Sequence, residues 1–142
     1  MKSLLQPLPA PAFLAVTHRA DLNVLVVRWQ RQTTPEELRE AYFALLDAAA
    51  AVDCPYWLLD VRGRDDSNKE STYWMTDHFL PLLPTRFAGR VCLAYLFAPN
   101  HLRDIETSPV VPPLTYFDDK PYCIARFIEE AGALGWLREQ QG

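Results

Sequence analysis

Glycine is scarce in this chain, five in 142 residues. No GxGxxG and no P-loop pattern occurs, so a glycine-cradled nucleotide is excluded and no cofactor is expected. Cysteine is scarcer still. Cys54, Cys92 and Cys123 are odd in number, widely spaced and without a CxxC pair. That excludes a disulfide framework and fits free, buried thiols in a reducing cytoplasm. His18, His78 and His101 show no HxH, HxxxH or HExxH spacing, which leaves no metal site to expect. Basic residues are outnumbered, 14 against 18 acidic, and a net charge of -4 argues against nucleic acid as a partner. No apolar run approaches the roughly 20 residues of a membrane span. The opening MKSLLQPLPAPAFLA has the outline of a secretory signal, but Pro7, Pro9 and Pro11 interrupt its apolar stretch.

What is present is globular composition, 49% hydrophobic and 23% charged. The length suits one domain: a proline-rich arm over residues 1–12, then a single α/β domain over 13–142. Phe13 to Arg19 and Asn23 to Gln30 read as a hairpin broken at Ala20-Asp21-Leu22. The VLVV of the second run predicts burial on both faces. Thr34, Pro35 and Glu37 form a capping box with proline at the first helical position. Leu38, Ala41, Tyr42, Leu45, Leu46, Ala49 and Val52 then keep helical spacing.

Tyr56 to Val61 is the next buried strand. Ser67 to Glu70 is a second capping box, and Met75, Phe79, Leu82 and Leu83 mark a helix that Pro81 should end or kink near Leu80. Val91 to Ala98 reads as a central parallel strand, Asn100 to Pro113 as a long loop and Leu114 to Phe117 as a short strand. Asp118 or Asp119 should cap a last helix striped by Ile124, Ala125, Ile128 and Ala131, with Gly132 and Gly135 fraying it. The order β-β-α-β-α-β-β-α predicts a two-layer or three-layer α/β sandwich around a mainly parallel mixed sheet of about five strands, with right-handed crossovers.

Four segments carry a resemblance. "NVLVVRWQRQTTPEELREAYFALL", "YWLLDVRGRDDSNKESTYWMTDHFLPLL", "RVCLAYLFAP" and "YFDDKPYCIARFI" resemble the SpoIIAA-like proteins. These are grouped with the STAS domains of anti-sigma-factor antagonists and, more distantly, with Sec14-type lipid carriers. The likeness spans roughly residues 13 to 130. It implies a bacterial, cytoplasmic, non-enzymatic regulatory module that acts through a protein partner. In several such domains a serine opening the helix after the third strand is phosphorylated, which makes Ser67 the candidate phosphoacceptor.

The residues themselves support three candidate sites. Ser67 is a helix N-cap by pattern. In open parallel sheets ligands sit beyond the carboxyl ends of the strands, where Arg31, Arg62, Arg64 and His101 would join Ser67 as a weak anion site. The competing reading pairs the arginines with Asp60, Asp65, Asp66 or Asp104 on a solvated rim. In both readings Arg62 and Arg64 contribute little to stability. Tyr73 and Trp74 lie off their helix's apolar stripe. With Phe79 and Leu102 they could form a partner surface, or an apolar pocket for a small or lipid-like ligand under the lid of residues 100–113. No spacing predicts a catalytic pair; Cys54 has no histidine near it in sequence. The strand Phe13 to Arg19 is the expected sheet edge, hence a candidate homodimer contact.

Overall fold

Three apolar runs, Val24–Trp29 (β3), Tyr56–Asp60 (β4) and Val91–Leu96 (β5), occupy the interior of a six-stranded sheet. The computed structural model describes residues 5–64, 69–109 and 111–142, with only the backbone described at Lys69. Strand order follows chain order. β1 (Leu5–Leu8), β2 (Leu14–Arg19) and β3 are antiparallel, and β3, β4, β5 and β6 (Tyr122–Phe127) are parallel. Since each parallel crossover steps in the same direction, a uniform hand of connection delivers the intervening segments to one face.

That face carries the larger core. Leu25, Val27, Trp57, Leu59, Leu93 and Tyr95 meet Leu38, Tyr42 and Leu45 of α1 (Pro35–Ala51), together with Phe79, Ile105 and Phe117 of later connections. On the opposite face Val26, Leu58, Ala94 and Cys123 are covered by Ala133 and Leu137 of α5 (Glu130–Gln140). Leu58 and Leu59 are fully buried on opposite faces, as strand alternation requires. Cys92 and Cys123 are register neighbours, the Cys123 thiol donating to Cys92 Sγ at 2.7 Å, and all three cysteines are buried and free of disulfides.

The start of α1 is built as its sequence dictates: the Glu37 amide donates to Thr34 Oγ1 at 3.1 Å, and the Thr34 amide donates to Glu37 Oε1 at 3.0 Å. Between β4 and β5 the chain runs through α2 (Lys69–Trp74), a π-helical turn (Met75–Phe79), a 3-10 turn (Leu80–Leu82) and α3 (Leu83–Arg86). Pro81 and Pro84 cannot donate to a continuing ladder, so the interruption expected near Leu80 is present.

Elsewhere the structure departs from the expected order. Leu5–Leu8, inside the supposed arm, is a strand paired to β2. The sheet therefore has six strands rather than about five, and its edge is β1 rather than Phe13 to Arg19. Pro7 is tolerated because an edge strand need not donate on both sides. The supposed loop from Asn100 contains α4 (Pro99–Thr107). Only Leu102 and Ile105 mark its inner side, too few for a readable stripe. Leu114–Phe117 is a 3-10 turn and not a strand, while Tyr122–Phe127 is a strand and not part of the last helix. The positions 124, 125 and 128 mimic helical spacing, but the open edge of β5 captures the segment by pairing. The last helix begins at Glu130, beyond Asp118 and Asp119, and Gly132 and Gly135 lie within it.

Candidate functional site

The turn after β4 sends its two arginines to opposite faces of the sheet. Asp60 shares the α5 side with Leu58 and is 6% exposed. Arg28 Nη1 donates to its Oδ2 at 2.9 Å, Arg62 Nε to Oδ1 at 2.9 Å, and the Arg62 amide to Oδ1 at 3.2 Å. Arg28 also bridges to Glu130 of α5 at 2.8 Å. Burial raises the Asp60 pKa, but the hydrogen bonds from Arg62 and Arg28 together outweigh it, and the carboxyl ends below its ordinary value. The cluster ties β3, β4 and α5 together. Gly63 makes the turn possible, since a Cβ there would collide with the carbonyl oxygen of Trp29.

Arg64 turns the other way. It is 8% exposed, with its guanidinium 4.2 Å above the Trp29 ring and 5.6 Å from that of Tyr42. Its Nη2 donates to the Tyr42 hydroxyl at 3.2 Å, and that hydroxyl shares a 2.8 Å hydrogen bond with Tyr95. Arg64 is thus buried against the core, which corrects the expectation of a solvated rim charge.

Beside this chain of polar groups lies a cavity of about 110 Å³. It sits over the carboxyl-terminal half of the parallel strands, between the sheet and the crossover segments. β5 and β6 supply Tyr95, Ile124 and Arg126 to it, α1 supplies Leu38, and the π-helical turn supplies Met75 and Thr76. Ile105 of α4, Val111 and Phe117 close the far side. Thr76 lies within the π-helical turn and is buried there; such turns recur at functional sites. Thr76 is 8% exposed, and among the described residues its Oγ1 has no hydrogen-bond partner. Arg126 Nη2 donates to the Pro112 carbonyl at 3.1 Å. Burial pushes the pKa of Arg126 down, against weaker pulls from Glu106 and Tyr95, yet a guanidinium stays charged near neutrality.

The candidate anion residues are committed to different partners. Arg62 holds Asp60 on the α5 face. Arg31 forms a two-pronged pair with Glu37, at 3.1 and 2.8 Å, and lies over Phe13. The Arg31 hydrogen bonds, with help from the Thr34 amide, lower the Glu37 pKa to about 2. His101 packs edge-on against Phe97, with centroids 4.9 Å apart. Ser67, Asp65 and Asp66 lie outside the described residues, so both the capping and the phosphoacceptor expectations fall there.

A cavity does exist beneath the 100–113 segment, but Trp74, Phe79 and Leu102 are not its lining. Phe79 is fully buried in the core. Trp74 packs beside Phe43, Tyr42 and Phe79, under Arg39. Leu102 packs on the core margin, and Tyr73 is exposed.

Sequence reasoning missed Arg126, Thr76, Ile105 and Phe117. The available signal was alternation in YCIARF, which places Tyr122, Ile124 and Arg126 on one face of a strand. Among the described residues no group of three or more His, Cys, Asp or Glu side chains is arranged to hold a metal ion, and no helix is long and apolar enough to cross a membrane. Comparison with protein-family models, curated proteins and solved structures returns no match.

Proposed function

We propose that this protein is a non-enzymatic sensor or carrier of a small ligand, bound in the cavity between the sheet and the crossover segments. The observation behind this reading is a cavity of about 110 Å³ to which Thr76 brings a hydroxyl with no partner among the described residues. Buried polar groups normally find partners, and a site that leaves one unmet is shaped for something that supplies it. An engineered apolar cavity of roughly 150 Å³ holds one benzene, so the ligand is of that order and not a full lipid. Its location over the carboxyl-terminal half of the parallel strands is close to where open parallel sheets commonly place ligands.

The test is titration of the full chain with small aromatic and aliphatic compounds, read by NMR of backbone amides. Saturable shifts should centre on Tyr42, Thr76, Ile105 and Phe117, and Ile105→Trp, which fills the space, should abolish them. Shifts scattered over the surface and indifferent to Ile105→Trp would count against the cavity.

A second reading, a STAS-type protein-interaction module, is favoured by one different observation. Phe43 and Tyr73 are 46% and 53% exposed, and the Phe43 ring meets Trp74 beside them at 5.7 Å. Exposed aromatic side chains suit a partner surface. Tyr73→Asp should then abolish co-purification of a stoichiometric partner from native cells while leaving the cavity titration unchanged. Retention of the partner by that variant would remove the reading.

A further inference from the structure

The cavity has a sign of charge. Among the described residues its lining carries two guanidinium groups, Arg64 and Arg126, and no carboxylate, in a chain whose net charge is -4. Arg64 lies between two aromatic rings and donates to Tyr42. Arg126 is held differently. Among the described residues its hydrogen bond goes to a carbonyl, that of Pro112. Among the described residues no carboxylate stands within ion-pair distance of it. Partly buried cations are normally paired, because desolvation is costly without compensation.

The rest of the lining restricts the counter-charge. Leu38, Met75, Phe97, Ile105, Phe117 and Ile124 are hydrocarbon or aromatic walls, while Gln32, Thr33, Ser71 and Thr72 add uncharged polar groups. An inorganic anion would leave those walls uncovered, and a pure hydrocarbon would leave Arg126 without a counter-charge and Thr76 without a partner. A molecule with an anionic head and a short apolar body satisfies both. A guanidinium with no contact ion pair among the described residues matches a monoanion, and its planar fork matches the two oxygens of a carboxylate.

We infer that the cavity binds a small organic acid, with Arg126 taking the carboxylate, the Thr76 hydroxyl donating to it, and the apolar body lying along Met75, Ile105 and Phe117. The inference rests on the ligand-binding reading above and narrows it to a chemical class. The volume limits the body to the order of one aromatic ring or a short alkyl chain.

The experiment titrates the full chain with benzoate and hexanoate, with benzamide and hexanamide as neutral counterparts, and with inorganic phosphate. Binding is read by amide NMR shifts at Thr76 and Ile105. The acids should bind on the order of tenfold more tightly than their amides, the worth of one charge-assisted hydrogen bond. Arg126→Met should bring the acids down to the level of the amides, with a smaller loss for the amides, which lack the charge. Arg126→Lys should restore part of the preference, keeping charge without the planar fork.

Equal affinity for acid and amide overturns the acid inference and leaves the cavity reading standing. Phosphate binding as tightly as benzoate, with the same dependence on Arg126, assigns the site to simple anions and also overturns it. Absence of saturable binding by all four organic probes overturns the inference and the cavity reading together. Should Arg126→Met fail to fold, the acid–amide comparison in the unaltered chain and in Arg126→Lys still decides.

Discussion

Replacing Arg64 and Arg62 separately by alanine tests whether the turn after β4 is read correctly, because the two are neighbours in sequence and opposites in environment. Arg64→Ala removes a guanidinium 4.2 Å above Trp29 and a 3.2 Å hydrogen bond to Tyr42. A desolvated cation–π contact is worth about 2 kcal/mol, and a hydrogen bond from a charged donor about 1.5–3 kcal/mol. The side chain's buried methylenes add about 0.8 kcal/mol each. Against these stands the hydration regained when a buried guanidinium is removed, several kcal/mol by order of magnitude. The net expectation is a loss of about 2–3 kcal/mol.

Arg62→Ala should cost about 1 kcal/mol or less, since Arg62 is half exposed and Asp60 keeps Arg28 at 2.9 Å. Arg64→Met, which retains the packed stem and loses the charge, should fall between them. Urea unfolding with a shared slope separates the three variants. Equal costs for Arg62→Ala and Arg64→Ala would refute the assignment of Arg64 to the core.

Other consequences follow from the same contacts. Gly63→Ala should destabilise by about 1–3 kcal/mol, because the new methyl meets the Trp29 carbonyl and the turn must shift; an unchanged melting temperature would show that the turn stands clear of β3. Leu59→Ala, at a fully buried position of the larger core, should cost about 2–5 kcal/mol in urea unfolding, and a loss under 1 kcal/mol would contradict that burial. Acid should unfold the protein through its paired carboxylates. The folded pKa of Asp60 lies below 3.8, and that of Glu37 is about 2 against an ordinary 4.5. Their stabilisation is therefore present above the ordinary values and lost as pH falls through the folded ones. Stability should decline from about pH 4.5 towards pH 2, and Asp60→Asn should flatten that decline; an acid limb unchanged in the variant would be evidence against the Asp60 contribution.

Several features were legible from the sequence because they depend on neighbours within a turn or two. The α1 start follows from Thr34, Pro35 and Glu37 alone, since a capping box is closed within four residues. The runs Val24–Trp29 and Val91–Leu96 are too uniformly apolar for any place but a sheet interior. Proline near position 81 forbids a continuous helix whatever surrounds it.

Tertiary structure decided what those local rules leave degenerate. YCIARF satisfies both helical and strand spacing, and only the unpaired edge of β5 makes it a strand. Leu5–Leu8, with a proline inside it, becomes a strand only because β2 offers it an edge. The cavity is the extreme case. Thr76, Ile105, Phe117 and Arg126 are spread across fifty residues and four separate elements, and no spacing rule joins them. They meet because successive crossovers of one hand stack their segments on one face of the sheet, over the ends of β5 and β6.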